Sequence, residues 1–431
     1  MEDKDWVEHR EGTCRLRASP SRGIAFNAPK VVISGVPAGS VVTFTLRLLP
    51  EQTSDAAFTS TATFAADSNG EVDISKDAAV SGSYTGVDAS GLWWSVIPAP
   101  DARLGERFAK RDARIPCDAV LSANVEGFHQ ALEVTLQRQY LAERTERRLL
   151  GGGDCPVGVF FSSSTDVQSC SNCGVVLLGG SAGELKEVWG AALASNGFPV
   201  LCLQWIGPKP LAKSANELDL DYVIKACSWF RKERGTSVVL MGSSLGAQVA
   251  LDAAAAGAPV SGIVSLAGSH VRTKFGDPGR YLRGTPLPCV PFDTDHFRFE
   301  NGLVEMAPGT LRWLGDDPDV IEARLPCEAI SVPVLLVSGS DDRNWASESM
   351  ADRVLNQLTG PCHAASAHIR YANAGHIIEP PMTPMTKVSW HPAGYVLDMG
   401  GCHQAHHKAQ MDFFPRCLEF LSACGSASSR L

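Results

Sequence analysis

The chain has 431 residues, of which 44% are hydrophobic and 20% are charged, a composition typical of a globular protein with two or three domains. The formal net charge of -9 at pH 7 argues against a nucleic-acid-binding protein, because such a surface needs clustered basic residues to neutralise phosphates. No run of about 18 apolar residues occurs, so no membrane-spanning helix is predicted. The amino terminus lacks the basic-then-apolar pattern of a signal sequence. We therefore expect the 13 cysteines to be mostly reduced.

The amino-terminal part is predicted to form an immunoglobulin-like β-sandwich that spans residues 1–146. Residues 31–34 and 41–49 are rich in β-branched and apolar side chains, and turn-forming Pro, Gly and Ser separate them. Further short strands are predicted at residues 61–64, 91–97 and 131–136. No helical period runs through this part of the chain, which favours a sandwich over a helical domain.

Residues 147–431 are predicted to form an α/β domain with a mostly parallel sheet flanked by helices, because strand and helix patterns alternate there. Gly151 to Gly153, close to the start of this range, is interpreted as a flexible junction between the two domains. The predicted strands and helices are strands at 158–161, 174–178, 198–203, 237–241, 263–267 and 334–338, and helices at 184–194, 217–234 and 247–256. Residues 272–325 are rich in Pro, Gly and aromatic side chains, so we expect a lid-like insert.

A Gly-x-Ser-x-Gly pattern occurs twice, around Ser181 and around Ser244. In an α/β-hydrolase the nucleophile follows the fifth strand, and the turn after the third strand supplies an amide to the oxyanion hole. One strand, one long helix and one more strand fit between the two serines. This count predicts Ser244 as the nucleophile and places Ser181 at the earlier turn.

The same reasoning predicts an oxyanion hole built from backbone amides. Leu245 follows the nucleophile, so its N–H is the first expected donor. The second donor is expected from Ser181 or Gly180, on a glycine-rich turn at a helix amino terminus. The alternative is that this turn is only a tight connection without a catalytic part.

The chain order of the fold predicts an acid and then a histidine after the nucleophile. Asp341 and Asp342 follow the apolar strand 334–338, and we favour Asp342 as the acid, with Asp341 free to cap the next helix. His376 lies in a loop after the short strand 368–371 and is the expected base. A metal site at His403, His406 and His407 is the weaker alternative, because no acid lies at the usual spacing. No cofactor or metal is therefore expected.

Several motifs resemble those of the type I acyl-CoA thioesterases and the bile acid-CoA:amino acid N-acyltransferase. They are residues 242–247 (GSSLGA), 339–345 (GSDDRNW) and 375–381 (GHIIEPP), with Gly400–Gly401, Ala405–His406 and Ala409–Gln410 further on. The resemblance covers nearly the whole chain. It implies a β-sandwich joined to an α/β-hydrolase domain, with the nucleophile at Ser244, the acid at Asp342 and the base at His376.

The resemblance also implies an acyl-CoA substrate. In this family the amino-acid-conjugating enzyme has Cys as its nucleophile and the thioesterases have Ser, so Ser244 favours hydrolysis of fatty acyl-CoA. The alternatives are an acyl-CoA:amino acid N-acyltransferase and a non-catalytic acyl-CoA-binding protein on the same fold. Aromatic residues of the insert are expected either to line an acyl pocket or to form the lid's own core, namely Phe275, Phe292, Phe297, Phe299 and Trp313.

The last three residues, Ser429-Arg430-Leu431, are a conservative variant of the Ser-Lys-Leu peroxisomal address. They predict recognition by a peroxisomal import receptor and hence a peroxisomal location. The alternative is a frayed polar tail and a cytoplasmic protein.

Overall fold

The computed structural model describes residues 5–49, 57–152, 155–163, 172–276, 279–391 and 394–428. The chain divides into two compact units, one formed by Met1–Ala142 with Glu379–Thr386 and the other by Glu143–Ile378 with Lys387–Leu431. The sequence placed the boundary at residue 146. A strand that begins at Thr145 already pairs within the sheet of the second unit.

The first unit is a β-sandwich of two sheets. One sheet has the order β1 (Val7–Glu11), β2 (Cys14–Ser19), β4 (Lys30–Ser34) and β7 (Glu71–Asp73). The other has the order β3 (Arg22–Ile24), β11 (Leu132–Gln139), β10 (Cys117–Val125), β5 (Val41–Leu49), β6 (Phe58–Ala65) and β8 (Ser81–Gly82), with β9 (Ile97–Pro98) also paired to β6. Buried side chains alternate with more exposed ones along β5, β6 and β10, because successive residues of a strand point to opposite faces.

The strand predicted at residues 91–97 is wrong. Gly91–Trp94 is a short helix, α1, and only Ile97–Pro98 is extended. The Asp88 carboxylate accepts hydrogen bonds from the Ser90 N–H and from the Trp94 indole N–H, both at 2.8 Å, and so stabilises a tight turn. Every side chain of α1 is buried. A short, fully buried apolar run of this kind has no period that separates helix from strand.

The second unit contains an eight-stranded sheet with the order β12 (Thr145–Gly152), β13 (Cys155–Ser163), β15 (Val200–Leu203), β14 (Cys173–Leu178), β16 (Ser237–Ser243), β17 (Gly262–Leu266), β24 (Val334–Gly339) and β25 (Ala367–Tyr371). The pairs that involve β13 are antiparallel and all the others are parallel. The predicted α/β-hydrolase fold is therefore confirmed. β14 is the third strand along this unit and β16 is the fifth, as the count between Ser181 and Ser244 required.

The first strand of this sheet was missed in the sequence. Gly151 and Gly152 end strand β12 rather than forming a flexible junction, and Gly153 lies outside the described residues. Arg147 on this strand forms an ion pair with Glu187, and both side chains are almost fully buried. A buried charged residue interrupts the alternation of apolar and polar side chains that identifies a strand in the sequence. The carboxylate that compensates the charge of Arg147 lies forty residues further along the chain, so the local sequence gives no sign that Arg147 is buried.

The helices of the second unit are α2 (Glu187–Ser195), α3 (Leu220–Arg234), α4 (Leu245–Ala255), α5 (Pro318–Ala323), α6 (Ser347–Gln357), α7 (Gly360–Ala364) and α8 (His403–Ser428). Three of them, α2, α3 and α4, begin and end within three residues of the positions predicted at 184–194, 217–234 and 247–256, and the bounds of the other four were not predicted. Helix α3 is capped by the Asp219 side chain, which accepts from the Asp221 N–H, and it ends at Gly235 in the left-handed conformation. Among the described residues, no helix combines the length and the apolar character that crossing a membrane would require.

The insert between β17 and β24 contains several short strands: β18 (Thr273–Lys274), β19 (Tyr281–Leu282), β20 (Thr285–Pro286), β21 (Val290–Pro291), β22 (Arg298–Glu300) and β23 (Leu303–Glu305). Strand β23 pairs with β27 (Tyr395–Asp398), which in turn pairs with β26 (Val388–His391). Strands β22, β23, β27 and β26 thus form a small separate sheet.

The aromatic residues of the insert mostly pack on one another. Phe292 stacks on Phe275 at 4.1 Å between ring centroids and meets the edge of Trp313 at 4.7 Å. Trp313 is fully buried, whereas Phe299 is 73% exposed. Of the two interpretations of these side chains, the packing favours the lid's own core for Phe292 and Trp313.

Candidate active site

Ser244 occupies a strained turn between β16 and α4. Its φ of 56° and ψ of -126° lie outside the regions that a serine normally adopts. The turn closes because Gly242 and Gly246 have no side chain: a Cβ at Gly246 would overlap the carbonyl oxygen of Gly179 and one at Gly242 would overlap that of Gly246. This geometry leaves the Ser244 side chain partly exposed at the carboxyl end of the sheet.

Three predicted residues meet at this edge of the sheet. The Ser244 Oγ lies 2.8 Å from the Nε2 of His376, and the Nδ1 of His376 lies 2.8 Å from the Oδ2 of Asp342. The three residues follow β16, β24 and β25, whose carboxyl ends lie at the same edge because the strands are parallel. The side chains of His376 and Asp342 are only 3% and 2% exposed, so their bond is shielded from water.

Asp342 is held by more than His376. Its Oδ1 accepts the N–H groups of Asn344 at 2.8 Å and Trp345 at 2.9 Å, and its Oδ2 accepts the Ser347 hydroxyl at 2.5 Å. The prediction that Asp341 caps the next helix is wrong, because α6 begins at Ser347 and its N-cap residue, Ala346, has no side-chain cap bond.

Asp341 points elsewhere. Its Oδ2 accepts the Gly401 N–H at 2.7 Å, and its Oδ1 lies 3.3 Å from the Arg343 Nε.

The sequence reasoning missed Ser347, whose hydroxyl donates to Asp342. Nothing in the local sequence pattern sets that serine apart from other residues at the start of a helix.

The loop that carries His376 is fixed by its backbone. The His376 N–H donates to the Met399 carbonyl at 2.8 Å, and the Gly375 N–H donates to the Nδ1 of His406 at 3.4 Å. The Trp345 ring lies 5.8 Å from the His376 ring and forms one wall beside it. In the described part of the chain, no group of three or more His, Cys, Asp or Glu is arranged to hold a metal ion, the histidines of α8 included.

The residues expected in the oxyanion hole divide into two groups. Leu245 is the first residue of α4, and the N–H groups of a first helical turn have no partner inside the helix. Gly180 lies directly beside the nucleophile, since a Cβ built on it would be 3.7 Å from the Cβ of Ser244. Ser181 follows Gly180 in a tight turn closed by the bond from the Gly183 N–H to the Gly180 carbonyl at 2.9 Å.

That turn has a support that the sequence reasoning missed. The Gln204 side-chain amide donates to the carbonyl oxygen of Gly183 at 2.9 Å and also to that of Ile206. Gln204 directly follows β15, the neighbour of β14 in the sheet. Its amide therefore fixes one end of the turn that lies beside Ser244.

This arrangement has a definite chemical capacity. A serine hydroxyl bonded to an imidazole, itself bonded to a buried carboxylate, can lose its proton to the imidazole as it attacks a carbonyl carbon. Amide N–H groups beside the serine can stabilise the oxyanion that develops during the attack. The geometry alone does not select the acyl group.

Comparison with known proteins supplies the family. Residues 218–424 match the model described as BAAT / Acyl-CoA thioester hydrolase C terminal, and residues 27–150 match the Acyl-CoA thioester hydrolase/BAAT N-terminal region. The chain belongs to the acyl-CoA thioester hydrolase/BAAT family. This finding confirms the resemblance seen in the sequence motifs.

Relatives in this family match the chain over most of their length. The mouse peroxisomal succinyl-coenzyme A thioesterase is 27% identical, over 90% of this chain and 91% of its own. Mouse acyl-coenzyme A thioesterase 1 is 26% identical, over 94% and 95%. Mouse acyl-coenzyme A amino acid N-acyltransferase 1 is 27% identical, over 92% and 94%. Among solved structures, a Paleococcus ferrophilus monoacylglycerol lipase is 18% identical over 59% of this chain and 96% of its own, with a TM-score of 0.37.

Proposed function

We propose that this member of the acyl-CoA thioester hydrolase/BAAT family hydrolyses fatty acyl-CoA to the free acid and CoA, with Ser244 as nucleophile. The observation that carries the proposal is the continuous bonding from Ser244 through His376 to Asp342, at 2.8 Å in each step. The thioesterase relatives support the choice of substrate.

In the proposed reaction His376 takes the Ser244 proton as the serine oxygen attacks the thioester carbonyl. The N–H groups of Leu245 and of Gly180 or Ser181 stabilise the oxyanion, and Asp342 stabilises the imidazolium. Collapse of this intermediate breaks the carbon–sulfur bond, and His376 passes the proton to the departing sulfur, so that CoA leaves as the thiol and the imidazole is neutral again. Water then gives a proton to His376, attacks the acyl-enzyme and forms the free acid, and the proton returns to Ser244.

Transfer to an amino acid is the second candidate, because one relative is named as an amino acid N-acyltransferase. The serine at position 244 favours hydrolysis, since the resemblance associates the conjugating enzyme with a cysteine nucleophile. Transfer to an amino acid requires an acyl-enzyme that reacts slowly with water until the amine arrives, whereas hydrolysis has no such requirement.

Incubation with acyl-CoAs from short to long chain, with and without glycine or taurine, distinguishes the candidates. Mass spectrometry of the products should show free acid under all conditions and no amide conjugate. The Ser244→Ala variant should bind acyl-CoA and release no CoA. An amide product would support the second candidate. Binding without turnover in the wild-type protein would refute both and favour a non-catalytic acyl-CoA-binding protein.

We also propose that the protein acts in the peroxisome. Residues Ser429, Arg430 and Leu431 lie outside the described residues, and one relative is named as a peroxisomal enzyme. A fluorescent protein joined ahead of the full chain should enter peroxisomes. Removal of Leu431 should leave it in the cytoplasm, and unchanged import after that removal would contradict the proposal.

A further inference from the structure

The segment of residues 398–401, called here the clamp segment, connects β27 to α8 and contains the Gly400–Gly401 pair noted in the sequence. It lies against two other loops. The acid loop, residues 341–345, carries Asp342, and the base loop, residues 373–376, carries His376. The clamp segment is bonded to both loops.

On the side of the acid loop, Asp398 makes two contacts. Its carboxylate accepts the Arg343 Nη1–H at 2.8 Å, and its backbone carbonyl accepts the Asn344 side-chain amide at 2.9 Å. Arg343 and Asn344 directly follow Asp342 in the chain. The clamp segment therefore fixes the acid loop immediately beyond the triad carboxylate.

On the side of the base loop, the Met399 carbonyl accepts the N–H of His376 at 2.8 Å. The backbones approach so closely that a Cβ at Gly375 would lie 2.6 Å from the carbonyl oxygens of both Met399 and Gly400. Gly400 has a φ of 72°, and a Cβ there would overlap the Asp341 carbonyl oxygen. Glycine at these positions is what allows the three loops to touch.

The Asp398 side chain is only 10% exposed and is surrounded by donors. Besides Arg343, it accepts the Gly400 N–H at 2.8 Å and lies 3.2 Å from the Lys387 ammonium. Burial opposes ionisation, but the Gly400 bond and the nearby positive charges of Lys387 and Arg343 keep the pKa of Asp398 below its ordinary value. A charged carboxylate thus holds the segment in place.

We propose that Asp398 is a positioning residue for the triad, which acts through Arg343 and through the clamp segment to keep Asp342 and His376 at bonding distance. The inference rests on the proposed function of the Ser244 site. Proton transfer from the serine requires the imidazole to be held within about 0.5 Å of its working position. The acid loop and the base loop follow different strands, so no short stretch of chain holds them together. The hydrogen bonds of the clamp segment to both loops restrain their separation instead.

The test compares Asp398→Asn with Asp219→Asn. Asp219 is a matched control, because its carboxylate also accepts backbone N–H groups, from Asp221, Arg283 and Gly284, and none of these belongs to the three loops. We expect Asp398→Asn to lower kcat about tenfold to hundredfold and to change KM less than about twofold. The His376 Nδ1 proton signal in the NMR spectrum should weaken or move. Asp219→Asn should retain the kcat and the NMR signal of the wild-type protein.

Two further measurements separate positioning from folding and from substrate choice. Labelling of Ser244 by a fluorophosphonate needs the serine and histidine but no acyl-CoA, so its rate should fall in the Asp398→Asn variant together with kcat. If the wild-type protein is labelled but cleaves no acyl-CoA, the proposed function fails, and the labelling rates alone then test the inference. Equal labelling of wild type and Asp398→Asn, or equal losses in the two Asp→Asn variants, would overturn it.

The Arg343→Met variant tests the route. If Asp398 acts through Arg343, the double variant Arg343→Met/Asp398→Asn should be no slower than the slower single variant. Losses that multiply in the double variant would show that the two side chains act independently, which contradicts the proposed route.

Discussion

His270 provides a quantitative test of how the second unit responds to pH. It follows strand β17 and is fully buried. Burial, together with the nearby positive charges of Arg353 and Arg324, lowers the pKa of His270 from 6.5 to about 4. Neither ring nitrogen has a hydrogen-bond partner of ordinary geometry among the described residues. Replacement by leucine should therefore remove a titrating group and give up only a weak contact with the Trp313 backbone.

The magnitude follows from proton linkage. Between about pH 6.5 and pH 4 the unfolded chain binds a proton at residue 270 that the folded protein does not bind. Its folded pKa is depressed, so stability is present in full above the unfolded pKa and declines as the pH falls toward the folded one. The pKa values of 6.5 and about 4 correspond to a loss of about 2 kcal/mol at pH 5 relative to neutral pH.

Urea unfolding at about pH 7.5 and about pH 5 measures the effect. The free energy of unfolding of the wild-type protein should fall by about 2 kcal/mol more than that of His270→Leu over this interval. The same exchange at His363, an exposed residue of α7, is the control and should keep the wild-type pH dependence. Parallel losses in the wild-type protein and His270→Leu would refute the reasoning, because they would show that His270 takes up a proton without opposing folding.

Three substitutions around the site have separable outcomes. Gly180→Ala adds a methyl group 3.7 Å from the Cβ of Ser244, an ordinary contact, so we expect an unchanged melting temperature and kcat/KM reduced about tenfold or more by the loss of space beside the nucleophile. Gly246→Ala places its methyl group against the backbone carbonyl oxygen of Gly179. Calorimetry should therefore show a free energy of unfolding lowered by about 1–3 kcal/mol, and activity should fall as well. Ser347→Ala removes a hydroxyl donor from the triad acid and should lower kcat about tenfold. Ser347→Thr should restore it, and Ser422→Ala, which removes only a bond to a helix carbonyl, should leave kcat unchanged.

Counting strands in the sequence was enough to separate Ser181 from Ser244. The count works because each strand of the parallel sheet is buried on both faces and appears as an apolar run that ends at a glycine or a polar turn. β14 and β16 are such runs, with every residue but one buried. The order of the residues along the chain therefore carried the information about which serine follows the fifth strand.

The parts of the fold that sequence reasoning missed depend on partners far along the chain. Strand β12 contains Arg147, whose buried charge is compensated by Glu187 on α2. Ser347 contributes to the site only because the acid loop turns back onto the start of α6. Residues 379–386 belong to the first unit although they begin only three residues after His376. No local pattern encodes a contact whose second half is distant in sequence.

The adjacent carboxylates show what the structure adds to the choice of Asp342 that the sequence had favoured. Asp341 and Asp342 share one chemical type and adjacent positions after β24, so only the motif resemblance set Asp342 apart in the sequence. In the fold their side chains point to different loops, Asp342 to His376 and Asp341 to the Gly401 N–H of the clamp segment. The pair therefore connects the end of one strand to two separate loops. Because Asp341 makes this second connection, its side chain is not available to orient the imidazole, and the two aspartates are not interchangeable.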